Sequence, residues 1–202
     1  MRRDEGIRHI VTNDRMKNIA ILYHSGCSDG FGAAWAAWKK FGNRAEYIAL
    51  RHQTHPSKSL ENKEVYLLDI TFFAKDLAWL IRHAESVTTI DHHAQALPEI
   101  RKATRYSFDT KKSGATLAWA FFHPKKPTPR MLRHIEDIDI WRFSYPKTNE
   151  IMAALDAEPM EFGAWNRFAE KLESPAHRTR IIATGSTLLK YQTKLAKELA
   201  SK

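Results

Sequence analysis

Short apolar runs alternate with amphipathic segments over the first half of the chain. Five runs rich in aliphatic and β-branched residues predict strands, at 18–23, 45–50, 65–68, 87–90 and 104–108. Apolar residues recur at helical spacing over 30–41 and 75–84, and another helix is predicted to begin at Ser113 and Gly114. This strand–helix–strand order predicts an α/β fold: a parallel, doubly wound β-sheet with helices on both faces.

The second half of the chain is predicted to be all-helical. Its helices are expected at 130–139, 149–157, 160–172 and 175–201. Thr128 and Pro129 have the residue types of an N-cap and a first helical position. We therefore predict a leader at 1–17, one domain at 18–174 and a linker-like C-terminal helix at 175–202.

The composition adds the chemical setting. No window is apolar enough to span a membrane, and the first seventeen residues lack the apolar core of a signal peptide. The single cysteine cannot form an internal disulfide, which fits a cytoplasmic location. A net charge of +9 and a pI near 9.7 favour polyanionic partners such as nucleotides or nucleic acid, or reflect a generally basic surface.

Metal-binding residue types follow three of the predicted strands. His24 ends the first strand, Asp69 ends the third, and Asp91-His92-His93 ends the fourth. An Asp after a strand is more often a turn former, but the carboxyl ends of parallel strands meet at one edge of a sheet. Together these residues predict a metal site at that edge.

Two further segments carry candidate chemistry. Asp137 and Asp139 lie among the apolar residues of the stretch 135–141, and are either further ligands or ordinary helix-surface charges. Lys112, Ser113 and Gly114 lie at a helix start, where backbone N–H groups favour a phosphate, although a solvated loop is the alternative. Arg101 to Lys147 contains eleven Lys and Arg against four Asp and Glu, which supports an anionic substrate.

Taken in order, these motifs resemble those of the DHH phosphoesterase family, and in particular its RecJ-like exonucleases and oligoribonucleases. The resemblance runs in order from about Ile19 to Phe143, which is most of the chain. It rests on the following residues: His24, Cys27, Asp29 to Ala34, Leu68-Asp69, Asp91-His92-His93, Ser113 to Thr116 and Asp137 to Trp141.

The resemblance implies a two-metal phosphoesterase, usually with Mn²⁺, and with Mg²⁺, Fe²⁺ or Zn²⁺ as alternatives. The implied metal ligands are His24, Asp29, Asp69, His92 and Asp137. Asp69 would bridge the two ions, His93 would face the phosphate, and Asp91 would orient the cluster. The expected reaction is hydrolysis of phosphodiester bonds in short oligonucleotides or nucleotide-like substrates.

The chain departs from the family pattern in two places. Cys27 occupies a position where many members have Asp; it either weakens the first metal site, shifts it toward Fe²⁺ or Zn²⁺, or only packs at the helix start. The usual C-terminal substrate domain is also not evident. A nucleic-acid-binding or regulatory protein with weakened catalysis, and a pyrophosphatase-type hydrolase, are therefore the alternatives.

The C-terminal helix has a heptad-like apolar seam. Its members are Ile181, Gly185, Leu188, Gln192, Leu195 and Leu199. An isolated helix of this kind needs a surface to cover its apolar face. It is expected either to fold back on the helical half of the chain or to pair with a second copy, giving a homodimer.

Overall fold

The computed structural model describes residues 17–51 and 54–201, so residues 1–16 of the predicted leader lie outside the described residues. The five strands are β1 Ile19–His24, β2 Ala45–Leu50, β3 Glu64–Leu68, β4 Ser86–Asp91 and β5 Arg105–Phe108. The helices are α1 Ser28–Phe41, α2 Ala74–His83, α3 Leu97–Ile100, α4 Gly114–Phe122, α5 Arg130–Asp139, α6 Thr148–Asp156, α7 Phe162–Glu173 and α8 Pro175–Ala200. The short helix α3 was not predicted from the sequence.

The strands form one parallel sheet in the order β2-β1-β3-β4-β5. This confirms the predicted α/β fold with a helical C-terminal portion. The chain leaves β1 toward one edge of the sheet and returns to form β3 on its other side. The strand order therefore reverses between β1 and β3, where α/β folds open a crevice at the strand carboxyl ends.

Side chains of the central strands alternate between two apolar layers. Ile21 and Ile90 lie in a large core with helices α1 and α4, whereas Leu22 and Leu67 pack with Leu77 of α2 on the opposite face. Both faces of the sheet are thus covered, which explains why the strands read as nearly continuous apolar runs.

Helix α8 is packed over its first half only. Gly185 lies against the backbone of Glu150 in α6, where a side chain would not fit, and Ile181 and Ile182 pack against the main core. Residues 191–200 are exposed. In the described part of the chain, no helix combines the length and apolarity required to cross a membrane.

Candidate metal centre

The carboxyl ends of β1, β3 and β4 bring together the residues predicted from the strand ends. His24 is the last residue of β1, Asp69 follows β3, and His92 and His93 follow β4. Asp69 has a φ of 56°, in the left-handed region that Asp tolerates better than most residues. Its N–H still donates to Ile90 O at 2.9 Å, so the strand pairing continues into the turn.

Asp69 is the centre of this arrangement. Its Oδ2 lies 3.7 Å from His24 Nδ1, and its Oδ1 lies 3.4 Å from His92 Nε2 and 3.8 Å from His93 Nδ1. The carboxylate is almost fully buried, and among the described residues no donor is aligned to hydrogen-bond with Oδ1. A buried carboxylate oxygen in this condition is costly unless a positively charged group satisfies it.

Two more carboxylates reach His92 from helices. Asp29 Oδ2, in the first turn of α1, and Asp139 Oδ2, at the end of α5, each lie 3.6 Å from His92 Nε2. Asp139 Oδ2 is also buried without a hydrogen-bond partner among the described residues. One imidazole nitrogen therefore has three carboxylates around it.

Cys27 joins the group from the opposite side of Asp69. Its Sγ lies 3.3 Å from His24 Nδ1 and 3.7 Å from Asp69 Oδ2. Cys27 is also the N-cap of α1, and its Sγ accepts a hydrogen bond from Gly30 N at 3.3 Å. Burial raises the pKa of this thiol to about 12.

These side chains form what we call the strand-end cluster: His24, Cys27, Asp29, Asp69, His92, His93 and Asp139. Within it are three overlapping groups of three ligand atoms, and the atoms of each group lie within 4.8 Å of one another. Imidazole, carboxylate and thiolate are all ligands of divalent cations. Together with the unsatisfied oxygens of Asp69 and Asp139, this donor set fits a metal centre.

The pKa values of the cluster are shifted because several ionisable groups are buried close together. Burial alone would raise the pKa of Asp69, but the imidazoles of His24 and His92 lower it to about 2. Burial alone would lower the pKa of His92, but Asp69, Asp29 and Asp139 raise it to about 9. The pKa of Asp29 is raised well above its usual value by burial and by the charges of Asp69 and Asp139. Without a metal, a proton on His92 balances part of the negative charge.

Asp91 organises the Asp-His-His turn. Its buried Oδ1 accepts hydrogen bonds from His92 N at 2.7 Å, from His93 N at 3.0 Å and from His93 Nδ1 at 2.7 Å. The contact with Nδ1 raises the pKa of His93, whose side chain is half exposed. His93 also lines a cavity of about 190 Å³ together with Asp69, Phe73 and Gln95. It is thus the imidazole of the turn that faces open space.

The structure corrects the prediction for Asp137, which it does not place in the cluster. The Asp137 carboxylate accepts hydrogen bonds from Ser144 N at 2.7 Å, Ser144 Oγ at 2.9 Å, Tyr145 N at 3.1 Å and Thr148 Oγ1 at 2.6 Å. Residues two apart on a helix project on nearly opposite sides, so only one of Asp137 and Asp139 can face the cleft. Asp139 replaces Asp137 as the candidate ligand.

The helix start at Ser113 and Gly114 also differs from the prediction. Gly114 N donates to Asp29 Oδ2 at 2.7 Å and Ala115 N donates to Asp29 Oδ1 at 2.9 Å. Ser113 is fully buried, and its N–H donates to Glu136 Oε2 at 3.3 Å. The first turn of α4 therefore holds Asp29 in place, and its N–H groups are not available to a substrate phosphate.

Lys112 remains available beside that turn. Its side chain is half exposed, and its Nζ lies 3.6 Å from Glu136 Oε1. Arg142 approaches the same Glu136 oxygen at 3.3 Å and donates to Lys111 O at 3.0 Å. Sequence reasoning missed Glu136 and Arg142; a carboxylate within an apolar helical stretch was the available indication for Glu136.

Two exposed aromatic side chains follow α5. Trp141 is 81% exposed and Phe143 is 47% exposed, and their rings meet edge to face with centroids 5.7 Å apart. Both residues have positive φ, 55° and 47°, a conformation that costs free energy for bulky residues. We call Lys111, Lys112, Trp141, Arg142 and Phe143 the basic–aromatic rim. It adjoins the cluster because Trp141 follows Asp139 by two residues, or at most roughly 8 Å between their Cα atoms.

Comparison with known proteins gives relatives without an assigned activity. No family model matches the chain. An uncharacterized protein of Acanthamoeba polyphaga mimivirus is 33% identical over 189 residues, which cover 85% of this chain and 44% of that protein. The chain therefore spans less than half the length of this relative. The crystal structure of an uncharacterized protein from Helicobacter pylori G27 is similar with a TM-score of 0.56 and 12% identity, over 85% of this chain and 62% of that one. This second likeness concerns the fold alone.

Proposed function

We propose that this chain is a divalent-metal-dependent phosphoesterase of the DHH type, which hydrolyses phosphodiester bonds in short oligonucleotides or nucleotide-like substrates. The observation that carries the proposal is the convergence of Asp29, Asp69 and Asp139 within 3.6 Å of His92 Nε2. The carboxylate ligand atoms of Asp29 and Asp139 lie within 4.8 Å of each other. Like charges that close together repel strongly in a largely buried site, and a bound cation is the usual means of compensation.

The residues that would hold the metal are His24, Asp29, Asp69, His92 and Asp139, and Asp69 belongs to two of the three ligand groups. Mn²⁺ is the first candidate, and Mg²⁺, Fe²⁺ and Zn²⁺ are alternatives. Two bound divalent ions would supply a water of lowered pKa and would neutralise charge on the phosphoryl oxygens.

His93 is the candidate proton donor. The hydrogen bond between its Nδ1 and Asp91 keeps a proton on that nitrogen and fixes the ring. Its Nε2 is then the atom that can give a proton to, or hydrogen-bond with, an oxygen of the substrate. Because the side chain is half exposed beside a cavity, a substrate has access to it.

The basic–aromatic rim favours a substrate that contains a nucleobase. Exposed indole and phenyl rings stack on bases, and Lys112 and Arg142 carry the charge that attracts phosphates. Pyrophosphate would leave the two rings without a role. We therefore rank the nucleotide phosphoester above the pyrophosphatase alternative.

A substrate panel tests the proposal directly. The purified protein is supplied in turn with Mn²⁺, Mg²⁺, Fe²⁺ or Zn²⁺ and is incubated with labelled di- to decanucleotides, cyclic dinucleotides and pyrophosphate. Asp69→Asn should abolish hydrolysis because Asp69 contacts three imidazoles of the cluster. The matched control is Asp156→Asn, which changes an exposed carboxylate at the end of α6 and should retain activity. Binding of oligonucleotides without turnover under any of the four metals would instead support the regulatory alternative.

The rim has its own test. Base stacking contributes about 1–3 kcal/mol per base, so Trp141→Ala should raise the KM for a dinucleotide roughly tenfold. The control is Tyr106→Ala, which removes another exposed aromatic ring, 50% exposed, from β5. An unchanged KM for Trp141→Ala would contradict base stacking at the rim without affecting the metal centre.

The homodimer and the cytoplasmic location stay predictions. Tyr191, Leu195 and Leu199 are exposed at four-residue spacing on α8 and would form the stripe that pairs with a second copy. Light scattering at micromolar concentration tests the pairing, since a monomer of 23.3 kDa would rule it out.

A further inference from the structure

The strand-end cluster offers two sets of ligand atoms with different chemistry. On one side of Asp69 lie a nitrogen and a sulfur, His24 Nδ1 and Cys27 Sγ, 3.3 Å apart. On the other side His92 lies between the carboxylates of Asp29 and Asp139. The first set is soft and the second is mainly oxygen, so the two sets do not favour the same ion.

The local backbone fixes Cys27 in this position. Gly30 has no room for a Cβ against the carbonyl oxygen of His24, so the segment between them is tightly wound. Gly30 N donates to the sulfur at 3.3 Å, which turns Sγ toward the strand end. Ser, Thr, Asp and Asn are the preferred N-cap residues, and a cap alone gives no reason for sulfur.

Asp69 carries the negative charge that a cation at this position would compensate. The residue is 2% exposed, and its Oδ1, which lies toward His92 and His93, has no aligned hydrogen-bond donor among the described residues. Its other oxygen lies 3.7 Å from both Cys27 Sγ and His24 Nδ1. A cation bound by these three residues would compensate a carboxylate that the protein leaves partly unsatisfied.

We propose that His24, Cys27 and Asp69 form a metal subsite selective for thiophilic divalent ions such as Zn²⁺, Fe²⁺ or Co²⁺, with the Cys27 thiolate as a ligand. The subsite of Asp29, His92 and Asp139 takes a harder ion such as Mn²⁺ or Mg²⁺. Binding at the first subsite releases one proton from the thiol to solvent and changes no oxidation state. The inference rests on the metal centre of the proposed function and is independent of its substrate.

The single cysteine of the chain makes the test specific. Co²⁺ is titrated into the metal-free protein, and absorbance is followed in the visible and near-ultraviolet. We expect a sulfur-to-cobalt charge-transfer band whose intensity at saturation corresponds to one thiolate ligand per chain. The band should be absent in Cys27→Ser. Zn²⁺ should abolish the band by competition, and a large excess of Mn²⁺ should not. Cys27→Asp should reverse the preference and favour Mn²⁺.

A second readout uses thiol reactivity. Zn²⁺ should protect Cys27 from a thiol reagent at least tenfold in rate, whereas Mg²⁺ should not, and the unfolded protein should react fully with or without Zn²⁺. Circular dichroism shows whether Cys27→Ser, which retains an N-cap oxygen, keeps the native helix content.

The outcomes separate this inference from the proposed function. Co²⁺ binding with visible absorption but no charge-transfer band, or failure of Co²⁺ to bind, would overturn the thiolate subsite. A thiolate-bound ion in a protein that hydrolyses nothing on the substrate panel would support the subsite and contradict the phosphoesterase.

Discussion

Replacement by Asn should change the stability of the metal-free protein in opposite directions at Asp137 and at Asp139. Asp139 Oδ2 has no hydrogen-bond partner among the described residues and belongs to a ligand group with Asp29 whose atoms lie within 4.8 Å of one another. At an effective dielectric constant of about 20, two full charges at that distance repel by at least about 3.5 kcal/mol. The nearby imidazole of His92 offsets much of this repulsion, as does partial protonation of Asp29, whose pKa is raised by burial. Asp139→Asn should therefore stabilise the metal-free protein by about 1 kcal/mol.

Asp137→Asn should destabilise the protein instead. The carboxylate accepts four hydrogen bonds that hold the segment after α5. Burial alone would raise the pKa of Asp137, but these hydrogen bonds outweigh burial and lower it. An amide keeps one acceptor oxygen but presents an N–H₂ group to a backbone donor. The hydrogen bonds lose the strength that the negative charge gives them, and one backbone N–H group is left without an acceptor. Together these changes should lower the free energy of unfolding by about 2–4 kcal/mol.

Urea unfolding in the presence of a chelator measures both changes, and calorimetric titration with Mn²⁺ measures metal binding. Asp139→Asn should weaken binding at least tenfold, by the loss of a charged ligand, while Asp137→Asn should bind Mn²⁺ nearly as wild type. If Asp137→Asn loses the metal and Asp139→Asn keeps it, the assignment of Asp139 is refuted.

Two further predictions concern packing and pH. Gly114→Ala should destabilise the protein by about 2 kcal/mol, because the new Cβ would lie 2.8 Å from Asp69 Cβ; Gly163→Ala in α7, with ordinary space around it, should be neutral or stabilising. In the metal-free protein the pKa of His92 is raised from 6.5 to about 9, so its contribution to stability is complete below pH 6.5 and is lost as pH rises through 9. The urea midpoint should fall over that window, and His92→Gln should reduce the fall and leave the part that comes from His93, whose pKa Asp91 also raises. A midpoint independent of pH in the wild type would contradict the charged imidazole.

The sequence by itself determined the sheet and the identity of most of the candidate site. Strand periods and the helices between them are local patterns, and they predicted all five strands to within a residue or two. Parallel order then implied that His24, Asp69 and His92 meet at one edge, since all strands in such a sheet point the same way. The same local logic predicted that a helix begins at Ser113 and Gly114, and Ser113 is the N-cap of α4.

Tertiary structure alone decided which groups face one another across long sequence separations. The choice between Asp137 and Asp139 depends on the rotation of α5 about its axis, which packing sets and which a two-residue spacing cannot reveal. The N–H groups of α4 are used by Asp29, 85 residues earlier in the chain, so a helix start that suggested a phosphate site is internal. Cys27 lies beside His24 and Asp69 because the turn after β1 and the turn after β3 converge. Such contacts arise from the relative placement of whole elements, which local propensity does not encode.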